Sequence, residues 1–282
     1  MIKRALFFFF LLLVAPLFVY TLVDASDTMM VNTPVSAPSI LPGDEELVYE
    51  VSWSLFKLGT IRVNARKNLT AEAHIDSYEN LPFVDLHSIH FSTMDSLFYS
   101  RGSRSLEQKD GLWWGLDYLH DLDHGRIRVE ETYQKNLNSP PTSREIKDTL
   151  SLSERDFVDG LSIAYFPRRF IHTHQTVRVP TVLYGKLGVT TFHFTGEETE
   201  ESLGVLDGPV KMVVVDGTTS VVGIFGMTGE FRGWFSDDAA AVPLKGRLNV
   251  LLGSVDVELI SWNRVGWSPP RAHTDQSELL PH

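Results

Sequence analysis

Alternation of apolar and polar residues dominates the middle of this chain and predicts β-strands. From Leu47 to Leu55 apolar side chains occupy every second position, so they fall on one face of an extended strand. The alternation resumes at Ile61 after Gly59, which indicates a hairpin or a strand bent at the glycine. Short Asp/Gly punctuation follows at residues 110–111, 123–125, 207–208 and 216–217. Since glycine adopts positive φ without a Cβ clash, these steps predict hairpin turns and a meander of antiparallel strands.

One stretch departs from this period and predicts a helix. Phe157, Leu161 and Tyr165 recur at intervals of four, which places them on one helical face. Ser153 provides an N-cap, and Pro167 marks the far end. We therefore predict a mainly β protein, with a large curved antiparallel sheet or partly closed β-barrel and one covering helix at about residues 153–166.

Three predicted strands near the C-terminus carry charge on one face and apolar side chains on the other. The charged positions are Glu230 and Arg232, then Lys245 and Arg247, then Asp256 and Glu258. Cross-strand pairs of opposite charge contribute about 0.2–1 kcal/mol each, which is typical of a solvated outer face. The adjacent Asp237 and Asp238 fall between two of these strands, and we interpret them as a turn rather than as catalytic groups.

The N-terminus has the order of a secretory signal peptide. Lys3 and Arg4 precede an apolar run that ends at Val23, and Val23-Asp24-Ala25 provides a small-residue cleavage site. The run is also close to the roughly 20 residues of a spanning helix, so a retained anchor is the alternative. We predict a signal peptide at residues 1–25, a flexible linker at 26–44, one β-rich domain at 45–265 and a disordered tail at 266–282.

Composition limits the cellular environment and the binding partners that the protein can have. The chain has no cysteine, so its stability must come from its core rather than from disulfides. Its net charge is −11 and becomes −12 once cleavage after Ala25 removes two basic residues and one acidic residue. Because a polyanion would repel this charge, we expect no nucleic-acid partner, and membrane contact only through the signal segment or peripherally. Periplasm or cell envelope is the expected location.

Several short motifs resemble a known family of exported bacterial proteins. They are Tyr49, Leu58-Gly59-Thr60, Ser162-Ile163-Ala164-Tyr165, Gly196-Glu197, Trp234-Phe235-Ser236-Asp237-Asp238, Pro243, Gly253-Ser254 and Glu258-Leu259. Between about Leu47 and Trp262 the chain resembles the family called domain of unknown function 3108. The histidine-rich segment from Trp113 to His124 departs from that pattern. The resemblance implies a β-rich envelope protein and implies no activity.

Candidate catalytic and metal-binding groups are weak. The segment His120-Asp121-Leu122-Asp123-His124 offers imidazole and carboxylate ligands, but it precedes Gly125 in a predicted turn, where the two histidines do not converge. No nucleophile elbow, zinc-protease motif or phosphate loop is present in the sequence. A glycosidase needs a pair of carboxylates, and the candidates for such a pair are Glu197, Glu230, Asp238 and Glu258. We assign no catalytic residue, no metal and no cofactor.

Aromatic residues give the sharpest functional hypothesis. Tyr49 and Trp53 on one strand, with Phe231 and Phe235 late in the chain, are predicted to line the inner side of the sheet. Trp113, Trp114 and Phe225 add to this aromatic set. Such an interior is either filled by side chains or holds an apolar ligand, and a filled core is the more common outcome. We predict that these four residues contact a lipid or another hydrophobic small molecule.

Two alternatives belong to other classes. A structural or assembly factor would contact envelope proteins through strand edges or the charged face and would need no pocket. A carbohydrate-active enzyme is less favoured, since it would need two carboxylates that face each other across a cleft.

Overall fold

A computed structural model describes residues 37–79, 81, 84–222, 229–250 and 253–272. Within them a four-residue helix α1 (Ala37–Ile40) precedes β1, and a second, α2 (Ser162–Tyr165), lies between β8 and β9. The strands are β1 (Glu45–Trp53), β2 (Phe56–Ala65), β3 (Thr70–Ser77), β4 (His87–Met94), β5 (Ser100–Lys109), β6 (Leu112–Asp121), β7 (Arg126–Gln134), β8 (Ser143–Ser151), β9 (Gln175–Leu183), β10 (Lys186–Ser202), β11 (Pro209–Thr219), β12 (Gly229–Ser236), β13 (Pro243–Asn249) and β14 (Ser254–Arg264).

All fourteen strands form one sheet, which confirms the predicted mainly β fold. Their order is β8-β7-β6-β5-β4-β3-β2-β1-β14-β13-β12-β11-β10-β9, and each neighbouring pair is antiparallel. Strands that follow each other in the chain are therefore neighbours, except β8 and β9, which lie at the two ends of the order. In addition, the first strand, β1, pairs with the last, β14. The sheet is not closed by strand pairing.

The sheet has two distinct ends. At one end, here called the hairpin end, the chain passes from each odd-numbered strand to the even-numbered strand that follows it, from β1–β2 through β13–β14. At the other, here called the helix end, the long connection from β8 to β9 carries α2 and a 3-10 turn, Phe166–Arg169. This connection covers the helix end, since Phe157, Phe166 and Phe170 are almost completely buried in it.

The sheet curls until β9 approaches the first half of the meander. Val158 forms a parallel bridge to Thr181 of β9, and the Ser100 amide of β5 donates to the Phe157 carbonyl at 2.8 Å. The Gly185 amide, in the turn after β9, donates to the Tyr118 hydroxyl of β6 at 2.9 Å. The segment that leads to α2 thus bridges the gap that the strands leave.

The predicted helix is present but shorter than residues 153–166. It begins at Ser162, after a turn that Asp159 stabilises. Asp159 Oδ1 accepts from the Leu161 and Ser162 amides, both at 2.9 Å, while the Ser162 hydroxyl accepts from the Asp159 amide at 2.7 Å. Phe157 and Val158 are held in extended backbone by the bridge to β9. The four-residue spacing in the sequence therefore reports burial against the core more than helical turns.

Described residues on both sides of the predicted domain at 45–265 pack against it. Ile40 and Leu41, in the predicted linker, are 1% exposed and belong to the core. In the predicted tail, the Ala272 amide donates to the Pro209 carbonyl, and the Lys211 amide donates to the Pro270 carbonyl. These tail residues therefore lie alongside the start of β11. Residues 1–36 and 273–282, which hold the rest of both predicted segments, lie outside the described residues.

The outer face of the C-terminal strands carries the charge pattern that the sequence predicted. Arg247 pairs with Asp256 at 2.5 Å across β13 and β14, and Lys245 lies 3.9 Å from Glu258 in the next outer row. Apolar partners occupy the opposite face, where the core lies. This face is here called the inner face.

Candidate functional site

The four aromatic residues predicted to bind a ligand lie at two levels of the inner face. Tyr49 and Phe235 lie toward the helix end and are 7% and 6% exposed. Trp53 and Phe231, four residues away on the same two strands, lie toward the hairpin end and are half-buried. The structure therefore separates the predicted set into two core residues and two partly accessible ones.

At the helix end the interior is filled. The Phe170 ring contacts Phe166 at 5.2 Å and Phe194 at 5.4 Å, and Phe166 contacts Phe192 at 5.9 Å between ring centroids. Phe231, toward the hairpin end, packs on the edge of this group at 5.5 Å from Phe192. The Tyr49 hydroxyl donates to the Pro243 carbonyl at 3.0 Å, and burial raises its pKa well above the ordinary tyrosine range. Such packing leaves Tyr49 and Phe235 as core residues in this structure.

A buried ion cluster fixes the helix end. Arg168, next to α2, donates to Glu45 Oε1 at 2.6 Å and to the Ala240 carbonyl, and neither charged side chain is exposed to solvent. Arg264 donates to Glu45 Oε2 at 2.5 Å. The two guanidinium groups hold the pKa of the Glu45 carboxyl below its usual value although burial alone would raise it. The cluster ties the β8–β9 connection to β1 and β14.

At the hairpin end an apolar row crosses four strands of the inner face. Trp53 of β1 pairs with Val255 of β14, Val255 pairs with Leu248 of β13, and Leu248 pairs with Phe231 of β12. Directly paired residues face the same side, so the four side chains form one line across three strand spacings, about 14 Å long. Leu248 is half-buried like the two aromatic residues, and it is a member that the sequence analysis did not select.

Glycines lie in the next row, which is one step closer to the helix end. Gly246 of β13 pairs with Gly233 of β12 and with Val257 of β14. Apart from its chain neighbours, a Cβ atom added at Gly246 would meet only the Val257 Cβ, at 3.9 Å. The missing side chain therefore leaves a shallow trough beside the apolar row. We call the row and the Gly246 position together the hairpin-end trough.

A polar cleft lies elsewhere on the inner face, beneath β4, β5 and β6. Its centre is the Asp159 carboxylate, which accepts from the Ser92 and Ser100 hydroxyls, both at 2.6 Å, besides its two amide contacts. His90, Ser103, Tyr118 and Tyr184 complete the lining around about 20 Å³, room for about one water molecule. Burial lowers the pKa of His90 to about 4, and burial raises the pKa of Tyr118 to about 12.

This arrangement is structural rather than catalytic in character. Four donors already saturate the Asp159 carboxylate, and a neutral buried His90 is a weak proton acceptor at neutral pH. No motif in the sequence indicates the cleft, because its residues lie on separate strands and alternate there with apolar ones.

The carboxylates weighed from the sequence do not face one another across a cleft. Asp238 Oδ1 accepts from the Ala240 and Ala241 amides at 2.9 and 3.0 Å, and Oδ2 accepts from Trp267 Nε1 at 2.8 Å, so the pair with Asp237 forms the predicted turn. Glu258 accepts from the Gly204 amide at 2.7 Å. Glu197 and Glu230 are exposed.

The histidine-rich segment also forms a turn. Leu122–His124 is a 3-10 turn closed by Gly125 at φ 61°, and His124 Nδ1 lies 2.8 Å from Asp121. His120 instead packs on the Phe157 ring, with 5.1 Å between ring centroids. In the part of the chain that the structure describes, no group of three or more histidine or acidic side chains is arranged to hold a metal ion. Among the same residues, none of the helices has the length and apolar character needed to cross a bilayer.

Comparison with known proteins gives one family match and similarities to solved structures. A family model described as "Protein of unknown function (DUF3108)" matches residues 119–260, half of the chain. None of the curated proteins matches it in sequence. Among solved structures it is similar to a β-barrel-like protein of domain of unknown function DUF1849 from Brucella abortus, with 9% identity, a TM-score of 0.49, and coverage of 78% of this chain and 97% of that one. It is also similar to the Mycobacterium tuberculosis lipoprotein LppX, with 10% identity, a TM-score of 0.24, and coverage of 78% and 86%.

Proposed function

The chain belongs to the family described as protein of unknown function DUF3108, whose description assigns no activity, and we propose that this member is an exported envelope protein whose hairpin-end trough binds the hydrocarbon part of a lipid-like ligand. The observation that carries the proposal is the difference between the two ends of the inner face. Tyr49 and Phe235 are packed away, whereas Trp53, Leu248 and Phe231 keep apolar surface accessible beside Gly246.

Desolvation would drive binding in this trough. Each buried methylene contributes about 0.8 kcal/mol, so about ten methylenes along the row contribute at most about 8 kcal/mol. That gross value corresponds to a dissociation constant of about 1 μM, and the cost of association weakens it further. The trough is shallow and offers few hydrogen-bond donors, which favours a ligand recognised by its chain more than by a specific head group.

Two of the four predicted residues, Tyr49 and Phe235, have an indirect role in this proposal. Tyr49 and Phe235 form the packed wall behind the trough and would set its depth. Trp53 and Phe231 would contact the ligand at the two ends of the row, together with Leu248.

Probe binding to the chain from Ser26 onward tests the proposal, because this chain retains every residue of the described fold. We expect N-phenyl-naphthylamine to bind saturably and to be displaced by a long-chain fatty acid. Gly246→Leu should abolish binding, since the new side chain occupies the trough. The matched control is Gly102→Leu, a strand glycine of β5 whose added Cβ would meet only Thr93, at 3.8 and 3.9 Å, on the outer face.

The outcomes separate two classes of function. Saturable binding that Gly246→Leu removes and Gly102→Leu retains supports a ligand carrier. No saturable binding, or equal binding by both variants, rejects the trough as a ligand site.

A specific observation favours the second candidate, an assembly factor: β8 lies at the end of the sheet order, and eight of its nine residues are exposed. Arg144, Glu145, Lys147 and Asp148 place charge along this edge, which disfavours strand addition by arbitrary partners.

A further inference from the structure

The hairpin turn between β1 and β2 carries two adjacent apolar side chains that the fold leaves in solvent. The turn consists of Ser54 and Leu55, and Trp53 pairs with Phe56 across it. Leu55 is 95% exposed and Phe56 is 57% exposed. Together they form an apolar patch at the hairpin end, and we call Leu55 and Phe56 the β1–β2 tip.

The geometry of the turn does not account for the leucine. Two-residue hairpin turns are built mainly from glycine, asparagine, aspartate and serine. The β5–β6 and β9–β10 hairpins also have two-residue turns, and their second turn residues are Gly111 and Gly185, at φ 77° and 72°. In the β1–β2 turn Ser54 takes the left-handed region at φ 54°, and the second residue is Leu55. Turn formation therefore gives no reason for a large apolar side chain at this apex.

Packing does not account for the tip either. The base of the hairpin is held by Val51 and Leu58, which are 6% and 7% exposed and form one apolar cluster with Val255. Leu55, at 95% exposure, buries almost no surface against the fold. The leucine side chain is therefore not needed to stabilise the hairpin.

The tip is continuous with the hairpin-end trough. The Phe56 ring lies 6.4 Å from the Trp53 ring between centroids, with 26° between the ring planes. Trp53 ends the apolar row of the trough, and Phe56 is its partner on the next strand, β2. Since paired residues face the same side, Phe56 extends the row by one strand spacing, from about 14 Å to about 19 Å. The exposed apolar surface of the tip thus begins where the trough ends.

We propose that the β1–β2 tip is part of the ligand site, where Leu55 and Phe56 contact the portion of a long hydrocarbon chain that extends past Trp53. This inference rests on the ligand function proposed above and specifies the ligand class, a long-chain amphiphile rather than a short or compact apolar molecule. Each further methylene that the tip removes from water raises affinity about fourfold. The two exposed side chains lose contact with water in the same step, which adds to the affinity.

A series of saturated fatty acids of increasing length tests the proposal. Each acid competes with N-phenyl-naphthylamine for the chain from Ser26 onward. We expect affinity to rise with chain length until the row and the tip are both covered, and then to level off. In the double variant Leu55→Ser with Phe56→Ala the rise should stop at a shorter chain. Affinity for the longest acids should fall at least about tenfold, while affinity for the shortest acids that bind should change little.

Leu55→Ser alone separates ligand contact from fold stability. Because the leucine side chain is 95% exposed, its loss should leave urea unfolding unchanged. Affinity for the longest acids should nevertheless fall about threefold or more.

Two exposed apolar residues in other turns provide the matched control. Val265, after β14 at the helix end, is 97% exposed, and Leu137, between β7 and β8, is 41% exposed. Val265→Ser with Leu137→Ser therefore removes comparable exposed side chains without changing the β1–β2 tip or the trough. We expect this variant to keep the chain-length dependence of the wild type.

The outcomes distinguish failure of the tip from failure of the trough. Unchanged long-chain affinity in the tip variants, equal loss in the control, or equal loss at every chain length would overturn the role of the tip. So would self-association of the wild type that Leu55→Ser removes without changing fatty-acid affinity, since the tip would then join two copies of the chain. If Gly246→Leu abolishes probe binding while the tip variants behave as the wild type, the trough stands and only the tip is rejected. No saturable binding by the wild type rejects both.

Discussion

His90 provides a measurable link between the polar cleft and stability. Its imidazole is half-buried beside the Tyr184 ring, with Nε2 3.3 Å from the Ser88 hydroxyl. Burial lowers its pKa from 6.5 to about 4, and the nearby Asp159 charge only partly offsets that effect. The fold therefore favours the neutral imidazole.

The sign and size of the effect follow from this shift. Between pH 6.5 and pH 4 the unfolded chain binds a proton at this site that the folded chain does not, so stability falls as the pH falls through this window. Each pH unit costs about 1.4 kcal/mol, and at about pH 5 the loss from His90 alone should reach about 2 kcal/mol. Above about pH 6.5 the site should contribute no pH dependence.

Urea unfolding at about pH 7.5 and about pH 5, followed by tryptophan fluorescence, checks this prediction. His90→Gln keeps a polar group for Ser88 and cannot be protonated, so its loss of stability between the two pH values should be about 2 kcal/mol smaller than that of the wild type. His172→Gln, whose imidazole is 53% exposed, is the control and should retain the wild-type dependence. Identical dependence in His90→Gln and wild type would refute the reasoning.

Two further substitutions test the helix end. Glu45→Gln leaves two buried guanidinium groups without their counter-charge and should lower the free energy of unfolding by about 3–5 kcal/mol in urea titrations, whereas Glu46→Gln in an exposed pair should change it by less than about 1 kcal/mol. Asp238→Ala removes the acceptor of two turn amides and of Trp267, so it should cost about 2–3 kcal/mol in the same assay. Asp237→Ala should cost under about 1 kcal/mol, and the opposite ranking would contradict the turn interpretation.

Local alternation was sufficient to predict the mainly β fold, although the Asp216-Gly217 step, which was predicted to be a turn, lies within β11. Side chains in a strand point to opposite faces in turn, so a one-residue error in register would move an entire apolar set into water. That constraint makes the faces of β12, β13 and β14 readable from sequence, and the ion pair of Arg247 with Asp256 follows from it. The double aspartate was readable for a similar reason, since Asp bonds its own neighbouring backbone.

Features that depend on distant pairings could not be predicted in the same way. Glu45 is separated by 123 residues from Arg168 and by 219 from Arg264, and nothing local marks any of the three as buried. The helix was predicted too long because a four-residue apolar spacing does not reveal that Val158 bridges to β9. The four predicted ligand residues all lie on the inner face, but their level along the strand depends on which turn lies at which end.

That level along the strands is the physical basis of the proposed function. Packed phenylalanines and a buried ion cluster stabilise the helix end, so the core does not depend on apolar side chains at the hairpin tips. The apolar side chains that the inner face keeps accessible at the hairpin end are explained if the trough receives a hydrocarbon chain. The probe assay with Gly246→Leu and Gly102→Leu tests this explanation.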